Sequence, residues 1–305
     1  MIGFVQALTA ILILMLATSV WAQSVTFTLP GANVYPEGVA LDSDTGTFYV
    51  GNTENGTVYK GNVNDDPGEL EVFLPARTDM RSVVMGMALD NWGRLFMAGG
   101  ATGRAFVYDT TAGDLLTVLR TPKTTSTLIN GVAVTQSAAY FTDSFRPILF
   151  RAPLTATSVG AMEPWLDFEG TPLRYGERNN LDGIVASADG RHLVVVQPNT
   201  GTLYRINTAT KGVRRIVLSA DLSTGNGLLL EGRTLYVIND EGGKIIPVTL
   251  TADFTRGVVG ESFSDPSLNF PTSVAKYGDR LLVVNHQSGP VTLPFTVSSI
   301  PIQMP

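Results

Sequence analysis

The stretch "VYPEGVALDSDTGTFYVGNTENGTVYKGNV", residues 34–63, holds three short alternating apolar runs separated by glycine-containing turns. Alternation with a period of two, broken by Gly, Asn and Asp, is the pattern of consecutive antiparallel strands. One residue breaks it. Glu37 stands at the head of the first run, where a core strand would carry an apolar side chain.

The same phrase returns five more times. "PEGVALDSDTGTFYVGNTENG" from Pro36 is followed by "VMGMALDNWGRLFMAGGATG" from Val84 and "INGVAVTQSAAYFTDSFRP" from Ile129. Then come "LDGIVASADGRHLVVVQPNTG" from Leu181, "GNGLLLEGRTLYVINDEGG" from Gly225 and "PTSVAKYGDRLLVVNHQSG" from Pro271. The copies lie about 47 residues apart, the period of a four-stranded propeller blade. A third run follows most copies ("TVYKGNV", "RAFVYDT", "ILFRAPL", "TLYRINT", "KIIPVTL"), and "PVTLPFTV" takes that place in the sixth. "LEVFLPA", "LLTVLRT", "EPWLDFE", "VRRIVLS" and "GESFSDP" supply outer strands for blades one to five. Blade six lacks one. The stretch "SVTFTLP", Ser24–Pro30, resembles "LEVFLPA" and is expected to close the ring by joining the last blade, which removes the exposed edge a linear array would leave. The expected fold is all-β: residues 23–305 form one six-bladed propeller, with blades starting near 36, 84, 129, 181, 225 and 271.

Residues 1–22 stand outside that repeat. The uncharged run "FVQALTAILILMLATSV" and the small residues Val20 and Ala22 fit a secretory signal peptide cleaved after Ala22. Its n-region carries no Lys or Arg, so an uncleaved anchor is the alternative. The signal reading implies a secreted or periplasmic protein without stable membrane insertion; a monomer is expected. "NGT" at Asn55–Thr57 is a glycosylation sequon. A net charge of −6 and a pI near 5.0 argue against nucleic-acid binding, which needs a basic face. With no cysteine in the chain, thiolate metal sites, disulfides and thiol catalysis are excluded. No G-x-S-x-G elbow, H-E-x-x-H pair or P-loop occurs.

In a propeller the inner strands all start on one face beside the axis. The six heads are Glu37, Met85, Asn130, Asp182, Asn226 and Thr272. Four carry carboxylate or amide oxygens, and two carboxylates converging on one axis would repel each other. A hard cation relieves that, and Glu37, Asn130, Asp182 and Asn226 suit calcium, or another divalent cation, rather than zinc. The alternative is a polar channel lining bonded to backbone and water, with Asn130 and Asn226 reading as Asn-Gly turn residues. The second strands end on the same face at Asn52, Asp143, Gln197, Asn239 and Asn285. With Asn180 and Asp240 these form an expected pocket rim. Asp182 is the candidate base, and His286 a second candidate at the rim.

On "PEGVALD…GTFYVGNT", "INGVAV…AAYFTDS" and "LDGIVASADGRHLVVV…TGTLYRI", nearly the whole chain after residue 22 resembles the senescence marker protein (regucalcin)/gluconolactonase family. Its wider relatives include paraoxonases, diisopropylfluorophosphatase and strictosidine-synthase-like proteins. The resemblance implies a six-bladed propeller, a calcium ion in the central channel and hydrolysis of a small lactone or ester. It also implies ligands from a Glu in blade one, Asn in blades three and four, and Asp in blade five. Here they correspond to Glu37, Asn130, Asp182 and Asn226, with the last two types exchanged. Val39 follows Gly38 where the family has proline, and no arginine sits just before Asn130, where sugar-lactone members tend to carry one. A propeller that binds a small ligand or a protein without turnover, its calcium structural, is the other reading.

Overall fold

The computed structural model describes residues 23–122, 126–177, 179–222 and 224–303; the signal-peptide reading of residues 1–22 lies outside them. Its strands form six small antiparallel sheets, the six blades expected from the repeat. Blade one is Pro36–Leu41, Thr47–Asn52, Val58–Asn62 and Glu71–Leu74 in spatial order, and the other blades follow the same meander. No α-helix occurs among the described residues; one 3-10 turn spans Pro198–Thr200.

The ring closes as the sequence suggests. Val25–Leu29 pairs antiparallel with Phe295–Pro301, from Val25 opposite Ser299 to Leu29 opposite Phe295. Phe27 and Leu29 are buried, and the Phe27 ring meets Phe48 of blade one edge-on at 5.2 Å. The core is six apolar clusters, one in each gap between neighbouring blades. Each second strand is therefore buried on both faces. This explains runs such as "LFMA" and "LVVV", in which no polar residue alternates.

Three strand assignments change. The third strand of blade six is Phe295–Pro301 rather than "PVTLPFTV", because Pro290 and Pro294 lack the N–H a ladder needs. The outer strand of blade five is Arg256–Val259 rather than "GESFSDP". Of that second stretch only Phe263 makes a bridge, to Ile245. In "VRRIVLS" the strand divides: Val213–Arg215 completes blade four, and Val217–Leu218 runs parallel to Arg256–Val259 along the edge of blade five.

Candidate active site

The heads of the inner strands interrupt their ladders, and this resolves the anomaly at Glu37. In blades one, three and six the register shifts between Pro36 and Val39, Ile129 and Val132, and Pro271 and Val274. Glu37, Asn130 and Thr272 fall inside these shifts. In blades two, four and five the ladder starts after the head, at Met87, Ile184 and Leu228. An interrupted ladder bends the strand and re-aims its side chains. The polar heads thus leave the apolar faces between blades and turn to the axis.

A second device draws the heads together. The residue after each head is glycine in five blades and Ser273 in the sixth. These glycines are not turn residues. Gly131 lies against the carbonyl of Asp182 and Gly183 against that of Asn226, so closely that a Cβ at either would come within 3.0 Å of that oxygen. Gly86 donates to the Asn130 carbonyl at 2.9 Å and Gly183 to the Asn226 carbonyl at 3.2 Å. Thr142 Oγ1 accepts from Gly131 N and donates to the Asp182 carbonyl. Thr272 Oγ1 completes the circle by donating to the Glu37 carbonyl at 3.0 Å. The Asn-Gly turn reading of Asn130 and Asn226 is therefore replaced by a ring of backbone contacts about the axis.

The ring lines a cavity of about 280 Å3 that includes Glu37, Asn130, Asp182, Asn226 and Thr272 and continues along the inner strands to Val134, Ala186 and Leu230. Met85 is the head that does not line it; it packs between blades two and three, and Met87 faces the channel. Asp182 is partly exposed to the channel, yet its carboxyl is pushed up to about 8. Desolvation is the largest cause, followed by the charges of Glu37 and Asp240, against one relieving hydrogen bond from the Asn130 side chain.

The amide nitrogens are committed. Asn130 Nδ2 donates to Ser144 Oγ at 3.1 Å, and Asn226 Nδ2 donates to Asp240 Oδ2 at 3.3 Å. This leaves both amide oxygens, with the Asp182 and Glu37 carboxylates, as acceptors at the channel. Such a set fits a hard divalent cation: it is all oxygen, it carries two negative charges, and those charges repel when nothing lies between them. No group of three or more His, Cys, Asp or Glu is placed to hold a metal among the described residues, so the amides are needed to complete any shell.

His286 is not a free rim residue. Its Nδ1 lies 3.1 Å from Glu37 Oε2 and 3.2 Å from the Pro36 carbonyl, and its ring sits near Tyr35 and Phe270. Burial disfavours the charged ring, but the hydrogen bond and charge of Glu37, the Pro36 carbonyl and Asp240 outweigh it and raise its pKa. Sequence reasoning missed this pairing, since the two residues meet only when the last blade docks on the first.

The rim needs correction. Asn52, Asp143, Gln197, Asn239 and Asn285 are buried and line no part of the central cavity. Each fastens a loop. Asn52 Oδ1 accepts from Glu54 N, Asn239 Oδ1 from Gly242 N, and Asn285 Oδ1 from Asn269 N. Gln197 Nε2 donates to the Arg174 carbonyl and to Asn180 Oδ1, and Asn180 Oδ1 also accepts from Gly176 N. Asp143 takes three backbone N–H groups and pairs with Arg146 at 2.7 Å. For Asn52, Asp143 and Asn239 the cause is position: an acceptor at the end of a second strand reaches the N–H groups of the turn that follows it. Asp240, one residue further on, is the member of the expected rim that opens to a pocket. That pocket, about 690 Å3, lies over blades four and five with Glu177, Asn179, Thr224 and Glu241.

Residues 21–136 match the family model described as SMP-30/Gluconolactonase/LRE-like region. No curated protein matches the chain. Among solved structures, the chain is similar to a calcium-binding protein, regucalcin, from Agrobacterium tumefaciens, with 15% identity, 90% of this chain and 95% of that chain covered, and a TM-score of 0.61. It is also similar to virginiamycin B lyase from Staphylococcus aureus, with 12% identity, 92% and 99% covered, and a TM-score of 0.60. The RRP9 WD40 repeats align with 11% identity, 92% and 98% covered, and a TM-score of 0.63. At such identities the structural likenesses show the fold alone. The chain is a six-bladed β-propeller whose residues 21–136 match the SMP-30/Gluconolactonase/LRE-like family model.

Proposed function

We propose that the protein is an exported, calcium-dependent hydrolase of a small lactone or ester. The observation that carries this reading is the convergence of Glu37, Asn130, Asp182 and Asn226 on one channel, with the Asp182 carboxyl raised to about 8 by burial and by Glu37 and Asp240. Glu37, Asn130, Asp182 and Asn226 would hold the ion. A bound calcium would polarise the substrate carbonyl and stabilise the negative charge that develops on its oxygen.

The chain's own groups supply the proton transfers. Asp182, as carboxylate, takes a proton from the attacking water. The water oxygen bonds to the carbonyl carbon, and the acyl C–O bond breaks. His286 holds Glu37 and the Pro36 carbonyl with Nδ1, so Nε2 is the nitrogen that can give the leaving alkoxide its proton. Export is supported by the apolar run before Ala22, and a monomer by the closed ring, in which Val25–Leu29 covers the edge that Phe295–Pro301 would otherwise expose.

The test is a screen of lactones and aryl esters with the purified protein, in calcium and in excess chelator. Calcium-dependent turnover that Asp182→Asn abolishes while the fold is retained is the expected result. Turnover that persists in Asp182→Asn, or after the metal is shown to be gone, overturns the reading.

A further inference from the structure

Blade two carries two arginines that the chemistry above does not use. Arg104 opens its third strand and Arg120 ends its fourth, and the two are directly opposed in the antiparallel register. Opposed residues project from the same side of a sheet, and like charges there destabilise the pair. No carboxylate lies within ion-pair distance of either among the described residues. Arg104 Nε is also buried with no hydrogen-bond partner. A buried guanidinium donor left unmet adds to the cost of this pairing.

The space for one is present. A cleft of about 230 Å3 is lined by both arginines together with Thr102, Gly103, Thr121 and Thr127, and among the described residues no acidic one borders it. Gly103, in the left-handed region at φ 64°, turns the loop so that its carbonyl accepts from Thr121 N at 2.9 Å, which fixes one wall against the other. Thr102 Oγ1 donates to the Gly99 carbonyl, and Thr127 Oγ1 to Asp143. Among the described residues, Thr121 therefore offers the hydroxyl free to donate.

We infer that this cleft binds a tetrahedral oxyanion, a phosphate or sulfate group, at a site separate from the axial one. Two guanidinium forks and a hydroxyl match several oxygens spread over a tetrahedron, whereas a single carboxylate would engage one fork. The anion would replace the Arg104–Arg120 repulsion with two attractions.

The experiment is calorimetric titration of the full, chelator-treated protein in chloride buffer, with inorganic phosphate and separately with phenyl phosphate. One phosphate per chain is expected, with binding at least about 10-fold weaker in Arg120→Gln, a change at an exposed residue that leaves the core untouched. Without phosphate, Arg120→Gln should melt no lower than the unaltered protein, because it removes the repulsion. Uptake of phenyl phosphate as well would identify a phosphate ester as a ligand, and uptake of inorganic phosphate alone the free anion. The proposal is overturned if phosphate gives no heat up to about 10 mM, or binds Arg104→Gln and Arg120→Gln as it binds the unaltered protein. None of these readouts depends on hydrolytic activity, so they stand apart from the test of the axial site.

Discussion

Replacing Gly131 with alanine adds one methyl group at the point where blade three meets blade four on the axis. That methyl would fall within 3.0 Å of the Asp182 carbonyl oxygen, with Ile184 and Thr142 beside it. Backbone φ at Gly131 is not in the left-handed region, so alanine suffers no local strain and the whole effect comes from overpacking. Forcing a methyl into a filled core costs about 1–3 kcal/mol, and the lost freedom of the unfolded chain returns about 0.4–1 kcal/mol. The net, about 1–2 kcal/mol, corresponds to a fall in Tm of about 2–6 °C for a chain of this size. Gly68→Ala is the matched control. Its Cβ would meet nothing closer than 3.9 Å, so its Tm should hold or rise slightly. Thermal melts followed by circular dichroism make the comparison. Since the displaced atom belongs to Asp182, Gly131→Ala should also weaken calcium binding, which Gly68→Ala should not. A Gly131→Ala protein that melts within a degree of the unaltered chain would refute the close-contact account of the ring.

Two more outcomes follow from the packing. A chain beginning at Gly31 loses the buried Phe27 and Leu29 and exposes the edge of blade six; relative to one beginning at Gln23 it should lose about 3–6 kcal/mol and aggregate, as melting and light scattering would show. Asp143 is held below its ordinary value of 3.8: burial works against its charge, but Thr127, the Leu128 and Phe145 N–H groups and Arg146 outweigh it. A lowered folded pKa contributes stability that is present above the unfolded value and lost as pH falls through the folded one. Asp143→Asn should therefore flatten the decline in Tm between about pH 5 and pH 2, and an unchanged slope would exclude that role.

The repeat made the fold readable because each blade must bury the same strands between two neighbours, which imposes one apolar pattern six times. Strand edges were less legible where that demand weakens. The outer strand of blade five carries the exposed Val258, so its sequence resembles the polar stretch beside it. The four oxygen-bearing heads could be found because their spacing follows the repeat. The reason they face the axis could not, since a ladder interruption at Glu37 or Asn130 leaves no mark in composition. The glycines were visible but ambiguous: Asn-Gly reads as a turn until a neighbouring blade supplies the carbonyl that excludes a side chain. Burial of Asn52, Asp143 and Asn285 was misjudged for a related reason, because a polar residue at a strand end looks the same whether it faces a ligand or caps a loop.

The central claim is that Glu37, Asn130, Asp182 and Asn226 form one cation site. Calorimetric titration of chelator-treated protein with calcium, beside Glu37→Gln, tests it most directly. One ion per chain, bound markedly more weakly when Glu37→Gln removes one of the two ligand charges, is the predicted result. Absence of calcium binding, or equal affinity in the two proteins, would contradict it.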